Sequence, residues 1–200
     1  MLEYTYEREL ADQGYKVICG MDEAGRGPLA GAVFAAAVIL PCGLVIDGLN
    51  DSKKISEKKR EKLFDEIIEN AVSYGIGTAS AEEIDEINIL NASMLAMKRA
   101  SSLLVPAPDA GIIDGNTSRG FEFHTITLVK GDSISPSVAA ASILAKVSRD
   151  RYMAELAEKY PEYNFAGHKG YPTKEHMDLV RKLGPCPEHR KSFLKFLNKP

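Results

Sequence analysis

At 200 residues, 44% hydrophobic and 26% charged, the chain fits one ordinary globular domain, and neither a disordered nor a fibrous class is indicated. The N-terminus MLEYTYEREL lacks the apolar run of a signal peptide, and the longest apolar stretch, residues 32–40, is too short to span a bilayer, so a cytoplasmic location is expected. The formal net charge of −3 argues against a generally basic nucleic-acid coat.

Residues 17–21 read as a short strand and 32–40 as a second, bounded by Pro41. The connection over 23–31 is shorter than the dozen or so residues a parallel crossover needs, so the two should be antiparallel neighbours. That places the loop GRGPLAG, residues 25–31, at one edge of a sheet. A basic run follows at 53–62 (KKISEKKREK), within which an amphipathic helix begins near Ser56 and presents Leu63, Phe64, Ile67, Ile68, Ala71 and Val72 on one face. A strand over 74–79 comes next. Ser80 and Glu83 have capping-box spacing and open a short helical turn, and a further helix runs from about Leu90 to Leu104, ahead of Pro106.

AGIID (110–114) is a brief apolar strand ending in Asp114, and FEFHTITLV (121–129) is another. Ser135 and Pro136 read as the N-cap and first position of a long helix that ends before Pro161, and its Ala139, Ala140, Ala141 and Ala145 permit close approach to a sheet. The loop NFAGHKGYP (164–172) leads to a final helix capped by Thr173 and stopped by Gly184 and Pro185, then to a basic tail. Both basic runs are of the kind that is most often a solvated helix face. Strands alternating with helices indicate an α/β domain with a mixed sheet and a helical C-terminal extension over about 161–200, in a single domain spanning 1–200. Cys19, Cys42 and Cys186 are odd in number, far apart and in no ligand spacing, which points to reduced core thiols.

The chemistry lies in the carboxylates. Asp22 and Glu23 sit at the end of the first strand, Asp114 at the end of AGII, and Asp132 between a strand and the long helix, and sites gather at strand ends on one side of an α/β sheet. Clustered carboxylates raise one another's pKa values unless a cation sits among them. Oxygen-only donors suit Mg²⁺ or Mn²⁺, and a pair of such ions roughly 3.5 to 4 Å apart serves phosphoryl transfer. Each acid also has a local reading. Asp114 starts the turn sequence DGN, Asp132 suits a helix N-terminus, and Asp22 and Glu23 share a face only if the strand ends between them.

The strings DEAGRGPLAG, the D-G-N at Asp114, VKGDSISPSVAAASILAKVSRDR and GHKGYPTKEHM resemble ribonuclease HII, the prokaryotic type 2 ribonuclease H family, in the family's order from about residue 16 to residue 193. The resemblance implies a ribonuclease H-like mixed central sheet flanked by helices. It carries the family's metal-binding acids onto Asp22, Glu23, Asp114 and Asp132, with two divalent ions, Mg²⁺ or Mn²⁺, as cofactor. It implies that Gly25, Arg26 and Gly27 recognise the 2′-hydroxyl beside the scissile phosphate, that Tyr171 stacks on the next sugar, and that Ser52, Lys53, Ser142 and Lys146 lie along the phosphate backbone. Ser142 and Lys146, four apart, share a helix face. Asp150 matches a non-ligand position and should pair with Lys146 or Arg149, and Asp51 falls in a substrate-side loop. His168, His176 and His189 lack ligand spacing and are assigned no metal. One departure is Gly31–Ala32–Val33 where the family usually has GPV.

The activity implied is endonucleolytic cleavage of the RNA strand of RNA/DNA hybrids, and cleavage 5′ of single ribonucleotides embedded in duplex DNA. The protein should act as a monomer, with no membrane association and a sliding clamp as a candidate partner. Two rivals are a ribonuclease HIII-like nuclease, which typically carries an N-terminal extension, and a non-catalytic hybrid-binding module that uses the basic segments alone.

Overall fold

The structure is a computed structural model that describes residues 2–50, 52 and 55–198. Asp51 and Lys53 lie outside the described residues. Strands β1 (Ile18–Ala24), β2 (Val33–Ile39), β3 (Ser73–Ala79), β4 (Ala110–Asp114) and β5 (His124–Leu128) form one sheet in the order β3-β2-β1-β4-β5. β2 runs antiparallel to both β1 and β3, while β4 is parallel to β1 and β5, so the sheet is mixed.

The helices are α1 (Thr5–Asp12), α2 (Glu57–Asn70), α3 (Ala81–Ser101), α4 (Pro136–Lys159), α5 (Phe165–His168) and α6 (Lys174–Leu183). β2 is apolar and buried along its whole length because both faces of the sheet are covered. Ala36 and Val38 pack with Leu63, Phe64 and Ile67 of α2 and Ile143 and Leu144 of α4, whereas Ala35 and Ala37 pack with Ala92, Ala96 and Met97 of α3. The alternation is the two-residue period of a strand read on both sides. α4 crosses β1 at Gly20, where a Cβ would lie 2.2 Å from the Ser137 carbonyl carbon. Glycine there lets a long helix rest directly on the strand that carries Asp22.

Local signals in the sequence appear as built structure. Ser80 and Glu83 make both hydrogen bonds of a capping box, Ser135 accepts from Val138 N–H with Pro136 behind it, and Thr173 caps α6 ahead of Gly184.

Several boundaries differ from expectation. β1 continues through Asp22 and Glu23 to Ala24, because β2 supplies partners as far as the Ala24↔Phe34 pair. α2 ends at Asn70, so Ala71 and Val72 fall outside the helix; Ala71 still packs against the core, whereas Val72 is exposed. The turn and helix expected after Ser80 are one kinked helix, bent at Asn88 with φ 65°. Residues 121–123 lie outside β5, and Phe121 and Phe123 turn into the α3 side of the core. The loop at 164–172 contains the one-turn helix α5, α1 has no counterpart among the expected elements, and Cys42 is exposed rather than a core thiol. Among the described residues no helix is long and apolar enough to cross a membrane.

Candidate active site

β1 pairs with β4 only as far as Met21 and Ile113, while its pairing with β2 runs three residues further. Asp22 and Glu23 therefore occupy a strand end open on one side, and the next step in register sets Asp22 beside Asp114. Asp114 Oδ1 accepts a 2.6 Å bond from the N–H of Gly131, which opens the short turn carrying the buried Asp132. Strand register, a turn and one hydrogen bond thus bring the four acids into one region.

Asp22 is buried, and burial first, then the Glu23 and Asp114 charges, raise its carboxyl well above the usual carboxylate range. Hydrogen bonds from Ser142 and from the Glu23 N–H, 2.7 Å away, oppose that rise. Like-charged oxygen donors of this kind fit a hard divalent cation. Among the described residues, however, no three His, Cys, Asp or Glu side chains converge tightly enough to enclose an ion. Glu23 reaches Arg26 at 3.2 Å, and Asp114 is held by Gly131. The donor chemistry fits, and the acids stand as neighbours rather than as a closed cage.

Asp22, Glu23, Gly25, Arg26 and Gly27 line one cavity of about 300 Å³, and Ser52, Ser142, Lys146 and Tyr171 line it too. Asp114 and Asp132 are not part of its lining. A larger cavity of about 790 Å³ lies between the N-terminal segment and residues 43–50, but its two carboxylates, Glu3 and Asp47, come from separate segments rather than from one strand end. Chemistry, not size, singles out the smaller one.

The loop after β1 is tied down from behind. Gly25 has φ 99°, and a Cβ on it would lie 2.2 Å from Arg149 Nε, so the cation packed beneath the loop requires a glycine there independently of any substrate. At Gly27 a Cβ would meet only the Tyr171 ring, at 3.8 Å, which leaves a slot between loop and ring.

Arg190 is fully buried and donates to the carbonyls of Gly25 (2.7 Å), Arg26 (3.0 Å), Pro28 (2.8 Å) and Gly31 (2.8 and 2.9 Å). Burial, with Arg149 alongside, pulls its pKa down to about 9, so the guanidinium still carries its charge at neutral pH. Arg149 adds bonds to Ala30 O and Lys169 O and sits 5.8 Å from the Tyr171 ring centroid. Leu29 N–H bonds Gly170 O at 2.7 Å, which joins this loop directly to the one carrying Tyr171.

Reading the C-terminal charges as a solvated face therefore fails at Arg190. A usable signal was its context: GPCPEHR is interrupted by proline and has no helix face to solvate.

On the opposite wall, the Ser142 and Ser52 hydroxyls are 2.9 Å apart. Asp150 binds Lys146 at 2.6 Å, as expected, and also approaches Lys169 (3.3 Å) and Arg60 (3.7 Å). With Arg149 it makes no ion pair among the described residues. One buried carboxylate thus gathers three cations beside the cavity. Burial pulls the Lys146 ammonium down in pKa, and Asp150 pulls it back up.

Solved proteins share this architecture. The ribonuclease H2 of Pyrococcus horikoshii OT3 superposes with a TM-score of 0.69 at 26% identity, over 92% of this chain and all of that one. The RNase HII of Archaeoglobus fulgidus, solved in complex with PCNA, gives a TM-score of 0.73 at 25% identity, over 92% and 97%. The mixed sheet with its acidic strand ends is thus of the ribonuclease H-like class. The family model for ribonuclease HII matches residues 19–197, and the ribonuclease HII of Caldicellulosiruptor bescii is 53% identical over 96% of this chain and 93% of its own length. The chain belongs to the ribonuclease HII family.

Proposed function

We propose that this protein is an endoribonuclease that hydrolyses the RNA strand of RNA/DNA hybrids and cuts 5′ of a single ribonucleotide in duplex DNA, leaving 3′-hydroxyl and 5′-phosphate ends. The observation that carries this reading is the shared cavity: the acidic end of β1, the Gly25–Arg26–Gly27 loop and Tyr171 face one space. Groups able to read a sugar stand beside groups able to serve hydrolysis.

Asp22, Glu23, Asp114 and Asp132 are the residues that would hold two divalent ions, Mg²⁺ or Mn²⁺, which supply Lewis acidity to an attacking water and to the departing 3′-oxygen. The chain's own work is placement. The backbone of residues 25–27, fixed from behind by Arg190, presents rigid dipoles to the 2′-hydroxyl, the group that distinguishes RNA from DNA at that position. The Tyr171 ring stacks on the sugar of the following nucleotide across the slot left open at Gly27. Ser52, Ser142 and Lys146, with Lys53, follow the phosphates, and Asp150 holds Lys146 to the cavity wall. Water displaces the 3′-oxygen directly, without a covalent enzyme intermediate.

In the cell this activity removes misincorporated ribonucleotides and RNA primers. The protein acts as a single-domain monomer, and a sliding clamp is the proposed recruiting partner, a reading supported by the PCNA complex of the Archaeoglobus relative.

The test is cleavage of an end-labelled DNA duplex containing one ribonucleotide, with Mg²⁺, Mn²⁺ or chelator, beside an all-DNA control. A single metal-dependent cut immediately 5′ to the ribonucleotide is expected. Cutting only in long hybrids would overturn the assignment of the loop to a single 2′-hydroxyl, and no cutting in any substrate would overturn the enzyme reading.

A further inference from the structure

Three histidines of the C-terminal segment form a buried cluster in which His176 is 0%, His189 2% and His168 8% exposed. The His168 and His176 rings stack at 4.1 Å and 14°, and Phe165 stands edge-on to His176 at 5.6 Å. Hydrogen bonding fixes the tautomers of the inner pair. The Tyr171 carbonyl can only accept, so His176 Nδ1, 2.9 Å from it, carries the proton. His176 Nε2 is then a lone pair, and His189 Nε2, 3.0 Å away, donates to it. That leaves His189 Nδ1 as an acceptor for the Cys186 N–H at 3.0 Å. Both rings are neutral and partnered at both nitrogens. A proton added to either would set two N–H groups face to face across 3.0 Å. Burial first, then the neighbouring imidazoles, push both down in pKa, His189 to about 4.

This relay ends on the loop that offers Tyr171 to the cavity. Tyr171 is 43% exposed, and neighbouring Lys169 and Gly170 are in the left-handed region at φ 50° and 80°. What fixes the residue is its backbone: its N–H bonds His168 O at 2.9 Å, and its carbonyl accepts from both Thr173 N–H and His176. We infer that His176 is a positioning residue for cleavage at single ribonucleotides, its Nδ1–H holding the Tyr171 carbonyl while His189 locks the tautomer. The inference rests on the reading of Tyr171 as the sugar-stacking residue.

A double-mutant cycle on the single-ribonucleotide duplex tests it, with kcat and KM measured separately. Tyr171→Ala and His176→Phe should each lose on the order of tenfold in kcat/KM, since an ångström of misplacement costs up to about a hundredfold. The double variant should lose no more than Tyr171→Ala alone. His176→Asn, whose amide can donate from near the Nδ1 position, should recover most of the loss.

An unchanged rate in Tyr171→Ala would sink the stacking reading. A loss in Tyr171→Ala together with a wild-type rate in His176→Phe, or with additive losses in the double variant, would overturn the positioning role and leave the stacking reading intact. Should His176→Phe fail to fold, ¹⁵N–¹H spectra of the unmodified protein decide the matter: His176 protonated at Nδ1 and His189 at Nε2 support the relay, and the reverse tautomers overturn it.

Discussion

The two walls of the cavity are held in place by different forces. The acidic wall is a packing structure: β1 and β2 lie against α4 through Ala140, Ala141 and Ile143, all fully buried, and Gly20 touches the helix backbone itself. The facing wall, formed by residues 25–31, the Tyr171 loop and the C-terminal segment, is a polar structure hung on Arg190, Arg149 and the His176–His189 pair. Close packing punishes small changes of volume, and a buried polar network punishes the loss of a single donor. Asp22 and Glu23 thus sit on a strand packed directly against a long helix, while the parts proposed to read the sugar are joined to one another by a polar network.

On the acidic wall the largest effect is expected from Asp22→Asn, which keeps the shape and the acceptor for the Glu23 N–H while removing the charge. Cleavage should fall by about a thousandfold or more, the scale of losing a group that acts on the transition state, whereas hybrid binding in a gel-shift assay should persist. Turnover near wild type would refute the metal assignment of Asp22. Gly20→Ala tests the same wall through volume alone. Its Cβ would meet Ser137 and Val138 backbone atoms at 2.2 to 2.5 Å, which a helix cannot evade by a rotamer change, so urea unfolding should show a loss of about 3 kcal/mol. A loss below about 1 kcal/mol would mean that α4 slides on the sheet, and the contrast between the walls would weaken.

This contrast also explains what could be read from the sequence. The packing wall is written in local signals: an unbroken apolar run for β2, Ser135–Pro136 opening α4, and alanines spaced along that helix. The polar wall is not local. Arg190 serves carbonyls at positions 25 to 31, and nothing in a basic tail says that one of its charges is fully buried. α1 went unread for a similar reason, since its Glu7 is buried to accept hydroxyls from Ser135 and Ser137 at the start of α4. The four acids were legible as residue types at strand ends. The register that sets Asp22 beside Asp114 depends on how far β1 pairs with β4, and no residue reports that alone.

On the polar wall, Arg190→Lys keeps the charge but not the planar fork, which serves four carbonyls at once. A lysine satisfies only some of them, and the fold should lose about 2 kcal/mol. Discrimination between a single ribonucleotide and long hybrid should change along with it, because the loop proposed to read the sugar loses its backing. A lysine variant with wild-type stability and selectivity would show that the loop holds its own shape.

The smallest effect, and the one that separates the walls most cleanly, is the response to acid. His189 has a folded pKa near 4 against an ordinary value of 6.5, so the folded protein binds fewer protons than the unfolded chain between those limits. Its contribution is fully present above pH 6.5 and is lost as pH falls toward 4, at about 1.4 kcal/mol per pH unit once well below 6.5. His176 is shifted in the same direction and adds to the loss. Carboxylates titrate in this range as well, so the informative quantity is the difference between the wild type and His189→Gln, whose amide can still donate toward His176 Nε2 but does not take up a proton. Between pH 7.5 and 5.5 the wild type should lose about 1.4 kcal/mol more than this variant in paired denaturant titrations. Parallel profiles would show that the fold does not hold His189 neutral against protonation, and wild-type stability rising relative to the variant would show it protonated in the fold; either result would overturn the tautomer chain that links Cys186 to Tyr171.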